Sequence, residues 1–103
     1  MVYQIDCSNC DAAYIGETGR NLETRLSEHV KAIEKRQTTS KIYQHVNETQ
    51  HSFDFASVKI LDKEERPYVR KNLESIHSMK HPHPVNRYKE IPTLYHPFIY
   101  NRN

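Results

Sequence analysis

The stretch Val2-Tyr-Gln-Ile-Asp-Cys7-Ser-Asn-Cys10-Asp-Ala12-Ala-Tyr14-Ile-Gly16 decides how the rest of the chain is read. Val2–Ile5 and Ala12–Ile15 are short β-prone runs, and the polar segment around Cys7–Cys10 supplies a turn between them. The pattern predicts a β-hairpin. If Cys7 and Cys10 face each other across a two-residue turn, Tyr3 stands opposite Tyr14, and both lie on one face by the two-residue period of a strand. Gly16-Glu-Thr-Gly19 makes a tight exit from the second strand.

Outward from this hairpin, Asn21 is a good N-cap. Leu22, Leu26, Val30 and Ile33 then fall at helical spacing, which predicts a first helix to about Arg36. Gln37-Thr-Thr-Ser40 breaks it, and Ser40 can cap a shorter second helix through Ile42, Tyr43 and Val46. Ala56–Leu61 reads as a third strand. Pro67 suits the first turn of a third helix, with Glu64 and Glu65 before it, where the helix dipole favours acids. That helix runs to about Met79, because Lys80-His-Pro-His-Pro84 stops it. The element order is β-β-α-α-β-α. The fold class is α+β, a small, mostly antiparallel three-stranded sheet flanked by about three helices. Residues 1–90 form the domain, and 91–103, with Pro92 and Pro97, read as an extended tail.

A chain of 103 residues supports one modest core. The apolar fraction of 36% and mean hydropathy of −0.90 lie well below the globular average, so the core is thin and a second staple is expected. No run approaches the ~18 apolar residues of a membrane helix, and no signal-peptide pattern follows Met1. The expectation is a soluble chain that is not secreted and does not engage a membrane. Fifteen Lys and Arg against thirteen Asp and Glu leave a net charge of +2, which permits nucleic-acid binding without arguing for it.

Two cysteines do not make a disulfide framework. A C-x2-C pair is either a metal knuckle or a redox dithiol, and no thioredoxin-like βαβ unit surrounds this one. Cys7 and Cys10 could supply two thiolates and His45 and His51 two imidazoles, the four ligands of a tetrahedral structural zinc site. Residues i and i+6 lie about 240° apart on a helix. The second helix must therefore end near Asn47–Thr49, so that His51 swings back from the loop. The alternative is a surface dithiol with two solvated histidines.

A second, polar constellation is scattered along the chain. Tyr3 and Tyr14 share the hairpin face, Arg25 and His29 are four apart on the first helix, Glu74 lies mid-way along the third, and Asn86 follows Pro84. Together these groups could assemble a phosphodiester-cleaving site. Each has a plainer reading: cross-strand packing for the tyrosines, a solvated flank for Arg25 and His29, a salt bridge to Arg70 for Glu74, and a turn for Asn86.

Val-Tyr-Gln at 2–4 followed by Tyr14-Ile15-Gly16 resembles the two-part signature of the GIY-YIG nuclease superfamily. Arg25-Leu-Ser-Glu-His29 resembles its Arg-x3-His, Leu73-Glu74-Ser75-Ile76 its metal-binding glutamate segment, and Val85-Asn86-Arg87 its terminal asparagine. Cysteines between the signature halves, with Tyr14 to Arg25 behind them, resemble more narrowly the endonuclease domain of Penelope-like retroelements. In that group the Cys pair joins two later histidines in a zinc site, and His45-x5-His51 matches the position. Met1-Val2 stands where the superfamily has Gly-Ile, and Gln50 where a glycine before the second histidine is usual.

The resemblance implies a nuclear, metal-dependent DNA endonuclease that nicks target DNA for retroelement insertion. It also implies that the domain has been cut from a polyprotein whose reverse transcriptase is absent here. By the same likeness Glu74 holds Mg²⁺ or Mn²⁺. A tyrosine, Tyr3 before Tyr14, takes a proton from the attacking water, and Arg25 offers its fork to a phosphate oxygen. His29 hydrogen-bonds a tyrosine hydroxyl or the phosphate, and Asn86 orients Glu74 or the phosphate. The alternatives are a catalytically silent, zinc-stapled nucleic-acid-binding module using Lys35, Arg36 and Arg70, and a zinc-stapled protein-interaction domain.

Overall fold

A computed structural model describes residues 1–85. The elements are β1 (Val2–Asp6), β2 (Ala13–Glu17), α1 (Leu22–Glu34), α2 (Lys41–Thr49), β3 (Lys59–Asp62) and α3 (Pro67–Lys80), in the expected β-β-α-α-β-α order. The strands form one sheet in the order β2-β1-β3, with β1 antiparallel to both neighbours. The domain end at residue 90 and the extended tail over 91–103 lie outside the described residues.

The strand period of two divides the sheet into faces. Tyr3, Ile5 and Cys7 of one face join Ile42 and Phe53 in the main core, with Tyr14, Leu22, Leu26, Ile33 and Val46 packed against them from β2, α1 and α2. Val2, Ala13 and Ile15 face the other way and are fully buried, on the side where α3 crosses β2 and β1. Helix α3 is fastened there by polar contacts as well. Arg70 Nε donates to Glu17 Oε1 at 2.9 Å, and His77 Nε2 lies 2.6 Å from Asp62 Oδ2.

The hairpin register differs from the expected one. Tyr3 pairs with Gly16, and Tyr14 with Ile5. The connection is not a two-residue turn, because the strands end at Asp6 and resume at Ala13, and Cys7 N–H donates to Ala12 O at 2.9 Å to close a longer loop. Inside that loop the N–H groups of Asn9 and Ala12 point to Cys7 Sγ and Cys10 Sγ. The offset is even, so Tyr3 and Tyr14 keep their common face as diagonal neighbours, ring centroids 6.2 Å apart.

Other boundaries moved as well. The second strand starts at Ala13 and continues through Gly16 to Glu17, paired with Tyr3 and Val2 of β1, so the exit begins after Glu17 rather than at Gly16. The third strand starts at Lys59 rather than Ala56, because the Asp54 side chain accepts from Ala56 N–H at 3.1 Å and holds the preceding residues in a turn. Helix α1 stops at Glu34, two residues early, and Arg36 takes the left-handed conformation at φ 54°. Asn21 and Ser40 cap their helices as read, accepting from Glu23 N–H and Tyr43 N–H.

Candidate active site and metal centre

The hairpin loop and the end of α2 meet at one corner. Cys7 Sγ lies 3.5 Å from His51 Nδ1, Cys10 Sγ lies 3.6 Å from His45 Nε2, and the four candidate ligand atoms all fall within 4.8 Å of one another. Bonds of about 2.3 Å to sulfur and 2.0–2.1 Å to nitrogen, set at tetrahedral angles, place neighbouring S and N atoms about 3.6 Å apart. The two observed S···N separations match that edge. The residues fit a four-coordinate metal ion of the borderline-soft kind that thiolates and imidazoles select.

Local backbone chemistry delivers the histidines. Helix α2 ends at Thr49, and Gln50 turns left-handed (φ 61°, ψ 23°) with its N–H on Val46 O, so His51 returns toward His45 instead of continuing round the helix. Phe53 packs edge-on against His45, with ring centroids 5.4 Å apart.

The second constellation assembles on the α1 side of the sheet. Tyr3 is fully buried and its hydroxyl lies 2.8 Å from His29 Nε2. Burial, assisted by the charge of Arg25, lowers the His29 imidazole to about 4, so it is neutral near pH 7. Burial also raises the Tyr3 hydroxyl well above its usual value. A protonated phenol facing a neutral imidazole donates, which makes Nε2 the acceptor and leaves the ring proton on Nδ1. Tyr14 packs edge-on against the same imidazole at 4.9 Å.

Arg25 stands beside both tyrosines and counters part of the upward push that burial gives Tyr14, while Glu74 adds to that push. The Glu74 carboxylate is half-buried on α3 and accepts from Ser78 Oγ at 3.0 Å. Arg70 does not serve as its ion-pair partner. That guanidinium turns across the interface to Glu17 and to the Glu65 carbonyl, at 2.9 and 2.6 Å, and is almost fully buried. Arg70 is therefore a fastening of the fold and not a surface cation for nucleic acid.

Tyr14, Arg25 and His29 open onto a cleft of about 500 Å³ that Lys31, Lys35 and Lys41 also line. Tyr3 lies beneath, out of contact with water. Asn86, the remaining expected member, lies outside the described residues.

Comparison with known protein families matches residues 1–77 to the GIY-YIG catalytic domain. The chain belongs to the GIY-YIG family. That is a family of nuclease domains, and the α+β architecture observed here is the one it implies. No curated protein and no solved structure matches the chain.

Within this GIY-YIG domain the geometry also gives Gly16, Gly19, Arg20 and Glu28 work that the sequence pattern does not show. A Cβ on Gly16 would stand 2.7 Å from both the Tyr3 hydroxyl and Tyr14 Cε2, so the bare backbone lets the two rings close over it. A Cβ on Gly19 would meet the Arg70 guanidinium at 2.8 Å. Arg20 and Arg25 both contact Glu28, and they hold its carboxyl at about 2. Gly16 meets the rings of its own hairpin, whereas the neighbour of Gly19 comes from α3, far along the chain.

Proposed function

We propose that this domain is a metal-dependent DNA endonuclease that cleaves phosphodiester bonds at the Tyr14–Arg25–His29 cleft. The observation that carries the reading is the convergence of two tyrosines, a neutral histidine and an arginine at a water-accessible cleft lined by three lysines. Tyr14, at the cleft wall, takes the proton of the attacking water, in preference to the buried Tyr3. The acceptor is the Tyr14 phenolate, formed once the hydroxyl has given its own proton to solvent. That form is scarce at neutral pH for a group that ordinarily titrates near 10, and burial makes it scarcer. Deprotonation therefore draws on the Arg25 charge beside it. Arg25 also offers its fork to a non-bridging phosphate oxygen. Tyr3 and His29 act as a pair, with His29 accepting from the Tyr3 hydroxyl and so holding its ring against Tyr14. Glu74 would hold a divalent cation, Mg²⁺ or Mn²⁺, which when bound polarises the phosphate and stabilises the leaving oxygen. Asn86 orients Glu74 or the phosphate.

Cys7, Cys10, His45 and His51 bind structural Zn²⁺, which ties the hairpin loop to α2 where the apolar core is thin. A Cys2His2 group whose cysteines lie inside the signature hairpin supports the retroelement branch of the reading. The domain would nick target DNA in the nucleus for insertion, in series with a reverse transcriptase. The deciding experiment is incubation of the purified domain with supercoiled plasmid, with and without Mg²⁺ or Mn²⁺. Nicked circles that form only with the metal are the expected result. Metal-loaded protein that binds the plasmid and leaves it supercoiled would instead indicate a silent binding module.

A further inference from the structure

Arg20 Nη2 and Arg25 Nη1 converge on a single oxygen of Glu28, at 2.7 and 3.0 Å. The two arginines come from different elements. Arg20 stands in the loop after β2, its N–H held by Thr18 Oγ1 at 3.1 Å, while Arg25 and Glu28 lie one turn apart on α1. All three side chains reach water, with exposures of 60% for Arg20, 33% for Arg25 and 38% for Glu28. Two planar forks aimed at one anionic oxygen form an arrangement that also grips a phosphodiester oxygen. Exposed ion pairs hold weakly, so a second anion can displace the carboxylate. Glu28 also marks a boundary. It lines the cleft of Tyr14 and His29 and an adjoining one bordered by Asn21, Thr24 and Ser27, and Lys31 lines both.

We propose that Arg20 and Arg25 form the seat of a DNA backbone phosphate, and that Glu28 occupies this seat in the free protein as a stand-in anion. When a strand crosses from one cleft to the other, its phosphate takes both forks and Glu28 rotates toward solvent. Arg20 is thereby a substrate-binding residue, and Glu28 a competitor that holds affinity down. The inference rests on the nuclease reading of the Tyr14 cleft and names where the strand leaves it. The opposing role for Glu28 is positioning, in which its carboxylate aims Arg25 at the substrate. The two roles predict opposite signs when the carboxylate is removed.

The test measures binding of a short fluorescent duplex without divalent metal, and plasmid nicking with Mg²⁺, for wild type, Glu28→Ala, Arg20→Ala and the double variant. Glu28→Ala should bind about two- to fivefold more tightly, the scale on which exposed pairs compete, and Arg20→Ala more weakly by a similar factor. In the double variant the gain from removing Glu28 should shrink, because one fork is missing. Unchanged or weaker binding by Glu28→Ala, with kcat reduced, would overturn the proposal and make Glu28 a positioning residue. Unchanged binding by Arg20→Ala would overturn it as well. Wild type that binds and nicks normally while the variants behave this way refutes only the phosphate seat. Wild type that neither binds nor nicks refutes the nuclease reading together with it.

Discussion

His29 is where burial and chemistry meet most tightly. Its imidazole titrates at the ordinary 6.5 in the unfolded chain and at about 4 in the fold, so the unfolded chain binds more protons between those values. The stability it contributes is complete above pH 6.5 and is lost as the pH falls through about 4. The loss amounts to about 3 kcal/mol at most. Urea unfolding of wild type and His29→Gln at neutral pH and near pH 4.5 checks it, since the other histidines are common to both proteins. The wild type should lose more stability on acidification than the variant, and parallel losses would refute the assignment. Glu74 carries a different expectation. Its carboxylate is half-buried in a polar contact, so Glu74→Ala should keep fold and zinc content, and DNA affinity should stay equal or rise slightly. Nicking should fall by at least about a hundredfold, because charge stabilisation is lost while positioning remains. Full nicking by Glu74→Ala would return the residue to a structural role.

At the scale of elements, the turn between α2 and His51 decides whether four ligands can meet. Gln50 performs it in a left-handed conformation that costs a side-chain-bearing residue about 1 kcal/mol relative to glycine. Gln50→Gly should raise stability by up to about 1 kcal/mol, discounted by loss of the Gln50 Nε2 bond to Asn47 O. Thermal melts of the zinc-loaded forms measure it, and a lower melting temperature for the variant would contradict the strain argument. The hairpin loop is the other half of the corner. Zinc bound by a small domain contributes folding free energy of about 10 kcal/mol or more. The purified chain should therefore carry one zinc ion, and Cys10→Ser should melt at markedly lower temperature or fail to fold. Folded, active protein free of zinc on elemental analysis would end the claim.

For the molecule as a whole, the surface that would meet nucleic acid is narrow. The cleft gathers Arg25, Lys31, Lys35 and Lys41, although the net charge of the chain is only +2. Binding should thus be driven by phosphate contacts, and affinity should fall steeply from low to physiological salt. Sequence preference should be slight, because no described element is arranged as a recognition helix for base edges. Titrations of unrelated duplexes of equal length across a salt series test both, and strong discrimination between duplexes would contradict the expectation. Among the described residues, no helix is long and apolar enough to cross a membrane.

Local chemistry makes most of this architecture legible in the sequence itself. Asn21 and Ser40 as caps, Pro67 as a helix start, and the apolar period of α1 act within a few residues of themselves, so the element order follows from the chain alone. The quartet Cys7, Cys10, His45 and His51 was legible too, since metal ligation admits few residue types and the helix period demanded a break before His51. Partnerships across elements were not. Sequence spacing offered Glu74 to Arg70 as a neighbour one turn away, yet Arg70 reaches Glu17 on β2, because α3 packs against that edge of the sheet and buries the guanidinium there. The same spacing set Tyr3 against Tyr14, while the loop through the cysteines moved the register by two residues and left Gly16 beneath both rings. Side-chain identity fixes what a residue can do. Which tyrosine meets water, and which carboxylate meets two arginines, depends on the packing of strands and helices separated by tens of residues, and only the tertiary structure decided it.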